Sequence, residues 1–355
     1  MFEKKNYRSL GQTPILISPV TLGTMTFGEQ NSQKEAFEQL DYAFFNGINI
    51  FDIAELYPVP PRPETYSRTE SILGQWIKNQ SRDQIILSTK IAGPRRGLDW
   101  IRGGPLSLDE KNILMSVESS LKRLQTDYVD LLYLHWPERN VPMFGQYKFD
   151  PSGEFVNDKE IDWVPIETQL NTLKKLIQSG KVRYIALSNE YSWGVMEFLR
   201  IARAESLPLI CNIQNNYSLL NRVVEFGLTE ILYREKLSFF AYSPLAFGHL
   251  TGKYIKNPAT KGRVNLFEGY AQRYNKPGVD KAVREYMKLA EEFNLSLTEM
   301  ALSFVNHQWF VTSTIVGATS LNQLKENLKA FEKKISFELI NRIELIHLNC
   351  MNPAP

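Results

Sequence analysis

Four side chains that could take part in proton transfer lie at the ends of three short apolar runs. Asp52 falls near the end of INIFDIA, and Tyr57 follows it by five residues. Lys90 ends QIILSTK and His135 ends YVDLLYLH. An acid, a phenol, an ammonium and an imidazole are the parts of a proton-donor site. They could form one only if the fold brings three separate segments together.

These four types suit the protonation of a carbonyl oxygen by the phenol. A free phenol has a pKa of about 10, too high for ready proton donation at neutral pH. A nearby ammonium favours the phenolate and so strengthens the acid. Asp52 would hold Lys90 in place as its counter-ion, and His135 would help to bind and polarise the carbonyl oxygen.

Each of the four residues also has an ordinary structural interpretation. A strand-end aspartate more often forms a turn or caps a helix. A strand-end lysine is usually a solvated charge, and a histidine beside Trp136 is usually a packed core residue. The set, rather than any one member, favours catalysis.

Prolines follow the tyrosine closely. Pro58 restricts Tyr57 toward extended backbone angles, since a residue before proline is disfavoured in the helical region. The run PVPPRP, residues 58–63, is predicted to follow a stiff polyproline path that helps to fix the phenol. A docking ligand for another protein is the weaker interpretation, because the segment is tethered at both ends.

Eight short β-rich runs must position these residues, and most are apolar on both faces, as parallel strands covered by helices are. Segments with helical periodicity separate them, so we expect a (β/α)8 TIM barrel formed by residues 1–355 as a single domain. A doubly wound sheet would open with a G-x-G-x-x-G turn, which the sequence lacks. The predicted strands are 20–24, 48–54, 84–90, 128–135, 182–189, 209–216, 237–243 and 312–318.

Two helices are especially clear in the pattern. In DEKNILMSVESSLKRLQTD, apolar residues from Ile113 to Leu124 recur at helical spacing, and Ser107 with Glu110 predicts a capping box. In PIETQLNTLKKLIQSGK, Gly180 is a good C-terminal stop.

Three connections are too long for simple βα loops. They span residues 91–108, 136–164 and 244–279, and each follows a predicted strand. In a barrel they would crowd the C-terminal face, where barrel active sites lie. The opening RSLGQTPILIS predicts a small hairpin before the first barrel strand.

Composition excludes several classes of protein. A net charge of +2 gives no indication of a nucleic-acid or membrane-surface partner, and no apolar run approaches the roughly 18 residues of a membrane span. The N-terminus lacks the apolar stretch of a signal peptide.

The cysteines Cys211 and Cys350 indicate a cytoplasmic protein with reduced thiols. The four histidines are dispersed, so a metal site is not expected. The oligomeric state is not predicted.

Several motifs together give the sequence a specific resemblance. They are LGTMTFG, FDIAELY, STK, LYLHW, GKVRYIALSN, QNNYSLL, AYSPLAFGHLTGKY and VGATSLNQLKEN. The chain resembles the aldo-keto reductase family, in its Tas-like and potassium-channel β-subunit-like branch, over nearly its whole length. The resemblance implies a catalytic tetrad of Asp52, Tyr57, Lys90 and His135, with Tyr57 as general acid. Most family members have glycine after this tyrosine, where this sequence has Pro58.

The resemblance also implies an NADPH-dependent oxidoreductase that reduces small aldehydes or ketones to alcohols. The nicotinamide cofactor would lie across the barrel mouth, with Tyr217 stacked on its ring. Arg263, ten residues after Lys253, matches a contact to the 2′-phosphate in this branch and favours NADP over NAD; the alternative is a solvated basic surface. The implied carboxamide contacts are Ser188, Asn189 and Gln214. The implied pyrophosphate contacts are Ser243, Leu245, Gly248 and Lys253. The implied adenosine contacts are Gly317, Thr319, Gln323, Glu326 and Asn327, and Thr24 and Tyr242 complete the cofactor set.

Two alternatives stay open. Ser320 and Gln323 also fit a helix capping box, S-x-x-Q, which is compatible with phosphate binding at the same turn. The whole chain could instead be a nicotinamide-binding regulatory protein of the channel β-subunit type, because an intact tetrad does not distinguish the two roles. A phosphate-binding isomerase barrel does not explain the joint presence of SN, QNNY and GATSLNQLKEN.

Overall fold

The computed structural model describes residues 2–267 and 271–355. Eight parallel strands close into a barrel in the order β10-β11-β12-β3-β4-β5-β6-β9, so the predicted (β/α)8 fold is confirmed and a doubly wound sheet is excluded. The strands of the described residues are β1 (Arg8–Ser9), β2 (Leu16–Ile17), β3 (Val20–Gly23), β4 (Ile50–Asp52), β5 (Ile86–Ile91), β6 (Val129–Leu134), β7 (Phe155–Val156), β8 (Lys159–Glu160), β9 (Val182–Ser188), β10 (Ile210–Asn216), β11 (Ser238–Tyr242) and β12 (Ser313–Val316).

Each of the eight predicted runs coincides with one barrel strand, and β5 extends one residue beyond its predicted run, to Ile91. Strands β3 to β6 are buried along their whole length, because the barrel interior covers one face and the helices cover the other. The helices of the described residues are α1 (Gln33–Phe45), α2 (Arg68–Ile77), α3 (Glu110–Leu124), α4 (Ile166–Gln178), α5 (Ser192–Ala204), α6 (Leu228–Glu235), α7 (Lys253–Lys256), α8 (Arg263–Leu266), α9 (Pro277–Glu292), α10 (Leu297–His307), α11 (Leu321–Ala330) and α12 (Phe337–Asn349).

The predicted N-terminal hairpin is confirmed and closes the lower end of the barrel. Strand β1 pairs with β2 in antiparallel fashion. Leu10, Ile15 and Ile17 from this hairpin pack with barrel-interior side chains such as Ile50 and Phe240. Below the C-terminal ends of the strands the interior is therefore filled with packed, mainly apolar side chains, as expected for a barrel of eight strands.

The two helix-end predictions have different outcomes. Gly180 follows α4 with a φ of +75°, a left-handed conformation that glycine adopts at low cost, as predicted. The capping box of Ser107 and Glu110 is wrong. Helix α3 begins two residues later than that box requires, and its N-cap is Asp109, whose carboxylate accepts from the Asn112 N–H at 2.8 Å.

All three long connections follow barrel strands at their C-terminal ends. The first contains a short 3-10 helix, Ile101–Gly103, the second contains the hairpin β7–β8, and the third contains α7 and α8. Residues 268–270, which belong to the predicted segment 244–279, lie outside the described residues. Within the described ranges, no helix combines the length and apolarity needed to cross a membrane.

The proline run does not follow the predicted polyproline path. The backbone bends at residues 58–60, and the peptide bonds before Pro58 and Pro60 are cis. Tyr57 is fixed instead by packing, in an apolar cluster that covers one side of the barrel mouth. Leu56, Val59, Ile101 and Trp136 belong to this cluster, which joins the loops after β4, β5 and β6.

Candidate active site

Asp52 and Lys90 form a buried ion pair at the top of neighbouring strands. The pairing of β4 with β5 brings the two strand ends side by side. The Lys90 ammonium donates to Asp52 Oδ2 at 2.6 Å and to the Ile53 carbonyl at 2.8 Å. The second carboxylate oxygen accepts from the Ser88 hydroxyl at 2.8 Å and from the Gln214 amide at 2.9 Å. Asp52 is thus the counter-ion that the sequence predicts.

Burial sets the electrostatics of the lysine. Only 1% of Lys90 is exposed, and loss of hydration lowers its pKa below the usual value. The Asp52 carboxylate opposes this shift and favours the charged ammonium. A cation held by one carboxylate and one carbonyl keeps its charge available to a neighbouring group.

That neighbouring group is Tyr57. The Lys90 ammonium lies 5.0 Å from the centre of the Tyr57 ring. The phenol ring also meets the His135 imidazole edge-on, with centroids 5.8 Å apart. The structure therefore brings all four predicted residues to one place at the C-terminal end of the barrel, although the sequence spreads them from position 52 to position 135.

His135 is a neutral imidazole in this environment. Burial lowers its pKa well below the usual value, and the charges of Lys90 and Arg96 lower it further. Its Nδ1 is buried and makes no hydrogen bond to any described residue. A neutral imidazole can donate one N–H to a carbonyl oxygen without carrying a net charge.

Three polar residues beside the tetrad hold one another in fixed positions. The Ser188 hydroxyl donates to the Gln214 carbonyl at 2.8 Å, and the Gln214 side chain reaches Asp52. Asn189, which has a φ of +54°, donates to the His135 carbonyl at 2.8 Å. The Tyr242 hydroxyl donates to Asn189 Oδ1 at 2.6 Å. Strands β9, β10 and β11 thus place a polar shelf next to the proton-donor site.

Comparison with known proteins agrees with this geometry over the length of the barrel. The profile of the "Aldo/keto reductase family" matches residues 19–347. The chain belongs to the aldo-keto reductase family. Membership places it among oxidoreductases that reduce aldehydes and ketones and that generally depend on a nicotinamide cofactor.

Individual relatives support the same branch as the sequence motifs. The chain is 42% identical to "Protein tas" of Escherichia coli, covering 98% of this chain and 99% of that one. It is 32% identical to "Uncharacterized oxidoreductase YrpG" of Bacillus subtilis, over 98% and 96% of the two chains. It is 30% identical to "Probable voltage-gated potassium channel subunit beta" of Arabidopsis thaliana, over 92% and 91%.

One predicted cofactor contact in this aldo-keto reductase does not reach the mouth. Tyr217 is completely buried, with its ring stacked against Phe304 and edge-on to Phe239 and Phe310. Its hydroxyl donates to Glu225 at 2.5 Å. No face of the ring is open to a nicotinamide, so the stacking role predicted for Tyr217 does not fit its position.

Tyr242, unlike Tyr217, lies beside the polar shelf at the barrel mouth. It is half-buried at the end of β11 and packs on the barrel-interior cluster. Its hydroxyl is tied to Asn189, which fixes the ring at the edge of the polar shelf.

The loop after β11 brings two cations together. Ser243 and Gly248 have φ values of +55° and +94°, so the backbone turns sharply beyond the strand while Leu245 packs into the outer core. The end of the Lys253 side chain lies close to Gly248, whose positive φ favours glycine at this position. Burial and the nearby positive charge of Arg263 lower the pKa of Lys253. Two cations held close in partial burial favour an anion between them.

The segment predicted to bind the adenosine end of the cofactor begins at Gly317. Ser320 is the N-cap of α11 and accepts from the Gln323 N–H at 3.3 Å, as the capping prediction requires. Gln323 does not return to the Ser320 N–H, however. Its side chain accepts from the Thr319 N–H and hydroxyl, each at 3.0 Å, so the box is not reciprocal. One turn further along α11, Glu326 is exposed and Asn327 is buried.

Thr24 belongs to the catalytic scaffold by its contacts. Its hydroxyl donates to the Asp52 carbonyl at 2.9 Å, and its own N–H reaches the same oxygen at 3.2 Å. These bonds hold the end of β4 against the end of β3. No cluster of three or more metal-ligating side chains occurs in the described part of the chain.

Glu55 is a site residue that the sequence analysis missed. It is completely buried three positions after Asp52, where it accepts from the Ala92 N–H at 2.6 Å and the Ser116 hydroxyl at 2.8 Å. It also pairs with Arg102 of the first long loop. This carboxylate ties the loop that carries Tyr57 to β5 and α3. A second carboxylate inside the apolar stretch FDIAELY was the available signal.

Glu138 links two of the long loops and should make stability depend on pH. Its carboxylate accepts from the Leu108 N–H at 2.7 Å, and burial raises its pKa to about 7. The folded state therefore binds a proton that the unfolded state releases above about pH 4.5. Stability from this group is complete below that pH and is lost as pH rises toward 7, by roughly 2–3 kcal/mol.

We expect Glu138→Gln to remove this pH dependence, because an amide keeps the oxygen acceptor and cannot ionise. Urea unfolding of the wild type and the variant at about pH 5 and about pH 8 measures it. The variant should gain roughly 2 kcal/mol on the wild type between the two pH values. Glu160→Gln, on an exposed residue of the same loop, is the matched control. Equal pH dependence in wild type and Glu138→Gln would show that Glu138 is ionised in the folded state.

Proposed function

We propose that this aldo-keto reductase uses NADPH to reduce an aldehyde or ketone to an alcohol, with Tyr57 as general acid. The observation that carries the proposal is the position of the Lys90 ammonium, 2.6 Å from Asp52 and 5.0 Å from the Tyr57 ring. A desolvated cation beside a phenol favours loss of the phenolic proton. His135 adds a neutral donor whose ring lies edge-on to the same phenol.

Each catalytic residue then has one role. The reduced nicotinamide, when bound, supplies a hydride to the carbonyl carbon. Tyr57 gives its proton to the carbonyl oxygen, and Lys90 stabilises the phenolate that remains. His135 binds the oxygen through one N–H and resists protonation, because burial disfavours the imidazolium. The apolar cluster around Tyr57 keeps water from one side of the reaction.

The residues of the mouth fit a nicotinamide dinucleotide. Tyr242 offers a fixed aromatic edge at the end of β11, and we assign to it the ring contact that Tyr217 cannot make. The polar shelf of Ser188, Asn189 and Gln214 offers amide and hydroxyl groups beside it for the carboxamide. Lys253 and Arg263 supply positive charge for the phosphates, with Gly248 close to the lysine. Gly317, Thr319, Gln323, Glu326 and Asn327 remain the proposed contacts of the adenosine end.

Carbonyl-dependent oxidation of NADPH by the purified protein tests the function. A panel of aldehydes, ketones and quinones should give at least one substrate whose reduction consumes NADPH and yields an equal amount of alcohol. Tight NADPH binding without turnover on any member would contradict the reductase and favour the regulatory alternative. That alternative draws support from the channel-subunit relatives. The free cysteines Cys211 and Cys350 suit the reducing cytoplasm in which we place the protein.

Removal of Arg263 should reduce the preference for NADPH over NADH. Its guanidinium lies 4.9 Å from the Phe247 ring centre and close enough to Lys253 to act on that residue's charge. A charge-assisted bond to the 2′-phosphate contributes about 1.5–3 kcal/mol, which corresponds to roughly a tenfold to hundredfold preference. We expect Arg263→Ala to weaken NADPH binding by at least several-fold and to leave NADH binding nearly constant.

Fluorescence titration of both cofactors at one fixed salt concentration measures the effect, because salt screens exposed ion pairs. Lys261→Ala, an exposed cation two residues away, is the matched control and should change neither affinity. An equal loss for both cofactors would indicate a general effect on the loop. No loss of affinity for either cofactor would show that Arg263 belongs to a solvated basic surface and does not contact the cofactor.

A further inference from the structure

The three long loops meet at one aromatic side chain beside the tetrad. Phe144, from the second loop, lies edge-on to Trp136, with ring centres 6.3 Å apart. The Arg96 guanidinium, from the first loop, lies 4.0 Å from the Phe144 ring centre. The Arg273 guanidinium, from the third loop, lies 5.8 Å from the same centre. We call Arg96, Trp136, Phe144 and Arg273 the Phe144 cluster.

The Phe144 cluster adjoins the reacting groups. The Trp136 ring centre is 5.1 Å from that of His135, and the His135 ring is 5.8 Å from that of Tyr57. The Arg96 guanidinium is itself 5.6 Å from the Trp136 ring centre. A small molecule whose carbonyl oxygen meets Tyr57 and His135 therefore extends toward the two arginines.

Arg96 and Arg273 both bring positive charge to this place. Burial lowers the pKa of His135, and the charge of Arg96 lowers it further. Burial raises the pKa of Tyr242, and the charge of Arg96 opposes that shift. Arg273, which is 9% exposed, also acts on Tyr242, and it adds to the burial that lowers the pKa of the nearby Lys276. Like charges that act on the same few side chains repel one another, and an anion placed among them relieves the repulsion.

We propose that Arg96 and Arg273 bind an anionic group of the substrate across the Phe144 ring, so that the preferred substrates are aldehydes or ketones bearing a carboxylate or a phosphate. The proposal rests on the reductase activity proposed above and names its substrate class. A guanidinium presents paired N–H groups that match either anion, and the aromatic ring holds its plane by stacking. The contribution of one arginine from each of two loops makes the anion a link between them.

Paired substrates that differ in charge test this inference. The wild type should reduce 4-carboxybenzaldehyde with a kcat/KM at least roughly tenfold above that for methyl 4-formylbenzoate, since one charge-assisted contact is worth about that factor. The ester withdraws electrons more strongly than the carboxylate, so intrinsic reactivity favours the opposite order. Glycolaldehyde phosphate against glycolaldehyde gives the phosphate arm. Preference for either anion, or for both, supports the inference and identifies the group.

Single substitutions then locate the contact. Arg96→Gln and Arg273→Gln should each lower the ratio of acid to ester kcat/KM by roughly tenfold, mainly through the KM of the acid. Arg96→Lys should restore part of the ratio. Arg95→Gln is the matched control, because Arg95 is the adjacent exposed arginine and lies over Trp163 and on the Gly153 carbonyl instead. It should leave the ratio unchanged.

Two results would overturn the inference. One is equal efficiency of the wild type toward the charged and neutral members of both pairs. The other is an unchanged ratio in both arginine variants, with NADPH affinity measured by fluorescence to show that each variant is folded. If the ester is reduced and Tyr57→Phe abolishes that reduction, the reductase stands and only the anion contact falls. If no member of either pair is reduced, the inference fails, and turnover on the panel of aldehydes, ketones and quinones then decides whether the reductase stands.

Discussion

Tyr57→Phe should lower kcat for carbonyl reduction by roughly 10²–10⁴-fold, the usual contribution of a positioned general acid. The ring of Phe keeps the contacts with His135 and with the apolar cluster of the mouth, so the change removes only the hydroxyl. NADPH affinity should stay within about twofold, because the cofactor contacts proposed here lie on other strands. Single-turnover rates at saturating NADPH separate chemistry from cofactor release.

Tyr66→Phe provides the matched control for the loss of a phenol. Tyr66 is a half-buried tyrosine that packs against the same apolar cluster, and burial raises its pKa to about 12. It lies beside Trp100, with ring centres 5.5 Å apart, and should tolerate the change with little loss of rate. Reduction of an unactivated aldehyde by Tyr57→Phe at close to the wild-type rate would remove Tyr57 from the mechanism.

Lys90→Met should lose both activity and stability. The ammonium that stabilises the phenolate is removed, so kcat should fall roughly 10²-fold or more. The alkaline limb of the pH–rate profile should move to higher pH in the remaining activity. Asp52, which is 2% exposed, is left as a buried charge without its cation. Breaking a buried ion pair in this way costs about 3–5 kcal/mol of unfolding free energy.

A double variant separates the two effects of Lys90. Lys90→Met with Asp52→Asn removes the uncompensated charge, so it should regain much of the lost stability while staying inactive. Urea unfolding measures the stability, and Lys78→Met controls for the loss of an exposed lysine. An alkaline limb that does not move in Lys90→Met would show that Lys90 does not tune the phenol.

The convergence of Asp52, Tyr57, Lys90 and His135 could be predicted from the sequence because their positions follow from strand ends. A parallel barrel gathers the C-terminal ends of all its strands at one mouth, so residues far apart in the chain converge once the strands are known. The alternation of side chains along a strand would also have corrected the stacking role predicted for Tyr217. Side chains alternate between the two faces of a strand. Gln214 faces inward to Asp52, so a residue three positions later lies on the outer side. Phe240 belongs to the interior cluster, and Tyr242, two positions on, shares its face.

The loops were beyond sequence reasoning for a different reason. Phe144 and Arg96 have no regular element of their own to fix their direction, and Arg273 lies in a single 3-10 turn, Gln272–Tyr274, that has no periodic pattern to reveal it. Their arrangement depends on contacts among three segments, and each segment would take another path without the others. The same applies to Glu55, whose partners Ala92 and Ser116 come from a strand end and a helix on a different βα unit.

The hairpin at the lower end of the barrel determines the side from which solvent protons can reach the tetrad. Leu10 and Ile17 are completely buried against the interior, so the space beneath Lys90 and Asp52 is sealed by hydrocarbon. In the proposed reaction, the solvent protons that recharge Tyr57 after each turnover therefore arrive from the mouth, the side where we expect NADPH and the carbonyl compound to bind. Tyr57 is thus reprotonated only after the alcohol or the oxidised cofactor has left the site. Protons therefore enter and products leave through the same end of the barrel. We expect the solvent isotope effect on turnover to depend on how readily the loops above Tyr57 open.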